Sequence, residues 1–150
     1  AAVTSVPEPV QGCTSETLGA MRYYAMASID FAEHWFPDGT TPAALRVAPM
    51  LSFDRKDDMQ DRALRRVTRA RLEPPRNYVP GALEFVDAVR LGLGWGMLPE
   101  PMLTDTTGMV RLNPGRPFDV PLYWQRWKLE SPVLDSLTEA VRRTAREVLR

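Results

Sequence analysis

A chain of 150 residues, 44% hydrophobic and 25% charged, is long enough to bury a sizeable core and too apolar for an extended disordered tail. Its 19 basic and 19 acidic side chains cancel, which removes any overall electrostatic case for gripping a nucleic-acid backbone. The single cysteine, Cys13, excludes an intrachain disulfide framework and points to a reducing compartment, the cytoplasm by default.

Ala1 to Val6 reads as a strand met without any preceding turn, so the sequence is expected to be a fragment. It carries neither a basic leader nor an apolar run approaching the roughly 18 residues of a membrane span. Pro7, Pro9 and Gly12 then break the backbone, and a polar stretch runs to Gly19. Met21 to Ser28 reads as a buried strand, and Ile29 to Phe36 as a short helix capped by Asp30 and ended by Pro37-Asp38-Gly39. A further helical turn over Thr41 to Leu45 leads to a strand from Val47 to Phe53, with Pro49 at the start of its ladder.

Asp57 with Gln60 three residues on forms an acidic variant of the capping box. Behind it Met59, Ala63, Leu64 and Val67 share one helix face, and Arg62, Arg65, Arg66 and Arg69 stay outside. After Pro74-Pro75 a short strand spans Arg76 to Val79. Pro80-Gly81 turns it into a helix whose apolar face is Leu83, Val86 and Val89, with Phe85 beside them. The glycine-rich RLGLGWGMLPE, Arg90 to Glu100, closes that helix and opens a strand, completing a crossover unit of the kind that builds a parallel sheet. Val110 to Pro114 and Val120 to Trp127 are strand-like. Ser131-Pro132 then caps a last helix striped by Leu134, Leu137, Val141, Ala145, Val148 and Leu149. The fold class is α/β.

His34 is the only histidine and Cys13 the only cysteine, so neither a converging metal site nor a serine or cysteine nucleophile with its base is expected. GLGWG is a poor phosphate cradle, because its glycines end a helix, where carbonyls point outward, and Gly92 suits the left-handed position after a helix C-terminus. The acidic stretch FDRKDD lies past a strand end and before a helix, where open α/β sheets bind ligands. Asp57 and Asp58 have two readings there: complements of a helix dipole in solvent, or, with Asp54, partners for a cationic small molecule. Arg55 or Lys56 would then be available for a carboxylate, and a free amino acid carries both charges. Thr4 and Ser5, at the first strand end, and Pro80 and Gly81, before helix amides, read either as turn formers or as carboxylate holders.

RLGLGWGMLPE following NYVPGALEFVDAV, together with LSFDRKDDMQ and VQGCTSETLGAMRYYAMAS, resembles the effector-binding region of LysR-type transcriptional regulators. Within that family the similarity is to the lysine- and arginine-responsive branch that controls basic amino acid export, and it runs over nearly the whole chain. The resemblance implies a type 2 periplasmic-binding-protein-like regulatory domain of two Rossmann-like subdomains. Residues 1–20 and 119–150 would form part of the first, which is expected to be incomplete, and residues 21–118 the second. The implied effector contacts are Thr4, Ser5, Asp54, Arg55, Asp57, Asp58, Val79, Pro80 and Gly81.

The same resemblance implies no enzyme activity, cofactor, metal or membrane. Its partners would be a basic amino acid, other copies of the chain, and operator DNA through a winged helix-turn-helix that these residues do not contain. An extracytoplasmic amino-acid-binding protein of similar fold and an amino-acid-processing enzyme are the competing readings.

Overall fold

The longest strand grows from residues that look too polar for one. In the computed structural model, which describes residues 1–112 and 117–150, strand β2 runs without a break over Cys13–Ser28, after the short β1, Ala2–Thr4. The break at Pro7, Pro9 and Gly12 separates the two strands, and the polar stretch up to Gly19 is the first half of β2. Its small polar and β-branched residues suit a ladder with one face in water. Along its course β2 leaves one compact unit, Ala1–Arg22 with Asp119–Arg150, and enters another, Tyr23–Phe118.

In the first unit β1 pairs antiparallel with β7, Phe118–Trp127, in the register Ala2↔Gln125 to Thr4↔Tyr123. The buried Gln125 amide donates to the carbonyls of Val6 and Glu8, both at 2.9 Å, and so fixes the chain after β1. Helix α5, Pro132–Val148, starts as expected at the Ser131 cap with Pro132 in its first turn. Its stripe is shallower than the sequence suggests: Ala145 is buried, whereas Leu137 and Val148 are 48% and 40% exposed. Polar contacts add to the partly buried Leu134 and Val141 in holding the helix. Arg142 meets both carboxylate oxygens of Glu16 on β2 at 2.9 and 2.6 Å and depresses the Glu16 pKa.

Thr138 of α5 is buried, and its hydroxyl accepts from Trp124 Nε1 and Arg126 Nη1, each at 3.1 Å, while donating to the Leu134 carbonyl at 2.7 Å. Thr138→Val keeps the shape and strands both donors, so it is expected to destabilise the protein by about 1–3 kcal/mol. Urea unfolding of Thr138→Val beside Thr138→Ser measures this, and equal midpoints for the two would refute it.

In the second unit β2 lies between β5, Gly96–Pro99, and β6, Met109–Arg111, antiparallel to both. The parallel pairing expected of the crossover unit is confined to β3, Met50–Ser52, and its neighbours. β4, Arg76–Tyr78, runs parallel to it on one side, and a parallel bridge joins Met50 to Trp95 at the mouth of β5 on the other. The intervening helices are α3, Met59–Val67, and α4, Ala82–Arg90. The core gathers Met26, Leu51, Phe85, Val86, Ala88, Val89, Leu98 and Met109.

Several boundaries move for local reasons. Ser28, not Asp30, caps α1, Ile29–Trp35, by accepting from Phe31 N. Val47 ends α2, Pro42–Val47, so β3 is shorter than the Val47 to Phe53 expectation. Leu83 is 72% exposed, and the buried face of α4 is Phe85, Val86, Ala88 and Val89. Gly92, at φ +75°, takes the expected left-handed position: Gly92 N reaches Val89 O and Leu93 N reaches Ala88 O, the paired bonds that terminate a helix at glycine. Asn113 and Pro114, read as the end of a strand, lie outside the described residues. Among the described residues no helix is long and apolar enough to cross a membrane.

Candidate functional site

The loop between β3 and α3 is shaped by its own carboxylates. Asp54 Oδ1 accepts from the backbone N–H groups of Lys56 and Asp57 at 2.6 and 2.9 Å. Asp57 accepts through one oxygen from Phe53 N at 2.9 Å and through the other from Met59 N at 3.1 Å. The capping box expected of Asp57 and Gln60 does not form. The N-cap of α3 is Asp58, without a side-chain cap bond, and Asp57 closes the loop instead. Four backbone donors thus fold residues 53–59 into a tight curl that holds two acidic side chains at a strand end.

Beside that curl, within the second unit, lies a cavity of about 520 Å³, inside the usual range for a small-molecule site. Its polar wall is Tyr23, Asp54, Lys56, Asp57 and Gln60, and its apolar wall includes Met59, Phe85, Met97, Leu98 and Met102. The Tyr23 phenol is raised above its ordinary pKa, first by burial and then by the charge of Asp57, and so stays a proton donor. Methionines adapt their shape to a flexible guest, and the two carboxylates, offset in part by the one ammonium of Lys56, leave the wall net negative and favour a cation nearby. The cavity suits an elongated molecule with a cationic group and an alkyl stem. An open groove of about 690 Å³ on the arginine side of α3 offers less, since its carboxylates are already paired: Asp61 with Arg76 at 2.6 Å and Glu73 with Arg71 at 2.9 Å.

Residues 1–146 match the model of the LysR substrate binding domain. The chain belongs to this family. It is 43% identical over 158 residues to the lysine export transcriptional regulatory protein LysG of Corynebacterium glutamicum, covering 99% of this chain and 52% of that one. Among solved structures it is similar to ArgP from Mycobacterium tuberculosis, with TM-score 0.93, 40% identity, and 99% of this chain and 52% of that one covered. It is also similar to full-length LysG from Corynebacterium glutamicum with bound effector Arg, with TM-score 0.84, 40% identity, and 99% and 51% covered. The chain therefore spans about half the length of the relatives it matches. Effector-binding and regulatory domains of more distant LysR-family proteins share its fold at 16% identity, with TM-scores of 0.66 and 0.70.

Of the residues singled out from sequence, the LysR domain brings Asp54, Lys56 and Asp57 to the cavity wall. Arg55 points over the Tyr78 ring at 5.8 Å, and the Asp58 side chain is 66% exposed with Arg62 at 4.0 Å. Val79 N donates to Ser52 O, and Gly81 O accepts from Phe85 N at the start of α4. Neither they nor the exposed Pro80 line the cavity, although Ala82 and Phe85 do. Thr4 and Ser5 belong to the first unit, where Thr4 Oγ1 accepts from Val6 N at 3.1 Å and bends the chain after β1. Two wall residues were hidden in the sequence: Tyr23, inside an apolar strand run, and Gln60, which looked like a cap.

Proposed function

We propose that this LysR domain is the effector-sensing part of a DNA-binding transcription regulator, that it responds to lysine or arginine, and that the regulator controls a basic amino acid exporter gene. The observation that carries the reading is the pairing of Asp54 and Asp57 beside an apolar wall of Met59, Phe85, Met97 and Met102. That arrangement matches the charge and the methylene stem of a basic amino acid. Support comes from two relatives: the 43% identical Corynebacterium glutamicum protein, named for lysine export, and the LysG structure with bound effector Arg. Asp54, Arg55, Asp57, Asp58, Val79, Pro80 and Gly81, with Thr4 and Ser5 of the first unit, remain the proposed effector contacts, Asp54 and Asp57 foremost.

The complete regulator acts in the cytoplasm as a homo-oligomer, sensing rather than transforming its ligand, and meets operator DNA through residues outside this chain. Occupancy alone changes nothing. The ligand must bind one conformation more tightly than another for the DNA-bound state to shift.

Calorimetric titration of the complete polypeptide with arginine, lysine and norleucine tests this directly. Norleucine lacks only the terminal ammonium of lysine, so lysine and arginine are expected to bind at least about tenfold more tightly, a difference of about 1.4 kcal/mol. Equal affinity for norleucine and lysine would remove the basis for the assignment.

A further inference from the structure

We infer that the side-chain amide of Gln60 is a specificity-determining group of this cavity, accepting a hydrogen bond from an N–H of the cationic ligand. The inference rests on the sensor reading above and deepens it, because it gives the selective contact to a residue outside the acidic loop. Gln60 is the second residue of α3 and lies on the cavity wall with Tyr23, Asp54 and Asp57. It is 2% exposed, yet its Oε1 is shut off from solvent and has no hydrogen-bond donor among the described residues.

A buried carbonyl oxygen without a donor is uncommon in native proteins and costs stability. Methionine is close to glutamine in size and would fill the position of Gln60 without that cost. The acidic loop, meanwhile, has part of its acceptor capacity committed: Asp54 Oδ1 takes two backbone N–H groups and each oxygen of Asp57 takes one, which leaves Asp54 Oδ2 and one lone pair on each Asp57 oxygen. An ammonium brings three donors and a guanidinium five. The carboxylates attract such a group by charge and accept some of its donors, and a donor directed away from the loop needs a further acceptor on the cavity wall. Gln60, a residue of the same wall, carries one, with its oxygen turned away from the cavity surface in this structure. Terminal amide torsions are broad, so a turn of the amide presents that oxygen to the cavity without moving α3.

The test is Gln60→Met and Gln60→Leu in the complete polypeptide. Each is titrated with L-arginine and L-lysine by calorimetry and melted without ligand. Both variants are expected to lose at least about tenfold in affinity for the basic amino acids. Their unliganded melting temperature should stay level or rise, since an unpartnered polar atom has been replaced by an apolar one. Unchanged affinity in either variant overturns the inference. So does an affinity loss accompanied by a lower melting temperature in both variants, which would make Gln60 a structural residue. If the unaltered protein binds neither amino acid, the sensor reading itself fails. If it binds and the variants bind as well, only the role of Gln60 is lost.

Discussion

Gly96→Val is expected to destabilise the second unit by about 3 kcal/mol or more, the upper end of what overpacking a core costs. Gly96 opens β5 opposite Met26, and a Cβ built there falls 2.6 and 3.0 Å from the Phe85 ring and 3.4 Å from Val89 Cγ2. Neither neighbour can give way, since Phe85 is 6% exposed and Val89 is fully buried at the centre of the core cluster. Valine adds two methyl groups beyond that clashing atom. Gly39→Ala is the control. Gly39 sits at φ +83° with nothing within 4 Å of the new Cβ, so it reports backbone strain alone, about 1–2 kcal/mol. Urea midpoints decide the comparison, and a Gly96→Val protein as stable as Gly39→Ala would show that the core is loose around Phe85. Because Phe85 also lines the cavity, any relaxation that lets Gly96→Val fold should weaken ligand binding as well.

Asp54→Asn is expected to lower the affinity for arginine at least about tenfold, about 1.4 kcal/mol, with little change in melting temperature. The reason lies in how the loop uses its carboxylates. Both backbone N–H groups that Asp54 accepts go to one oxygen, Oδ1, and the carbonyl oxygen of asparagine can take its place. The substitution removes the charge and leaves the turn. Asp57 is different, because its two oxygens hold Phe53 N and Met59 N separately. Asp57→Ala should therefore cost about 1–3 kcal/mol of stability and abolish measurable binding by undoing the curl. Reversing several of these residues to lysine at once would mix the two effects. If Asp54→Asn binds arginine as tightly as the unaltered protein, the charge of Asp54 is not part of recognition.

Some of this architecture is written in short stretches of sequence. Gly92 after a helix, Ser131-Pro132 before one, and the acidic run following a strand are all legible, because a cap or a turn is decided by a few adjacent residues and their backbone preferences. Family resemblance carried the fold further than periodicity did. The site was legible only in part. Asp54 and Asp57 stand out as charge at a strand end, and the structure puts both on the cavity wall. Their hydrogen bonds to the loop backbone, which decide what each substitution means, are not visible in composition or spacing.

What the sequence by itself determined was the class of fold and some local features: the helix ends at Gly92 and Ser131, and an acidic run after a strand. Tertiary structure alone decided that polar residues from Cys13 onward continue into β2, because a ladder needs backbone partners, which strands distant in sequence supply. It decided that β4 and β5 flank β3, and that Leu83 faces water while Phe85 presses against Gly96. It also decided that Gln60 does not cap its helix and is instead buried on a cavity wall with an unpartnered oxygen. Burial and hydrogen-bond satisfaction are properties of neighbours in space, and the cavity that Gln60 lines is walled by β2, the β3–α3 loop, α4 and β5.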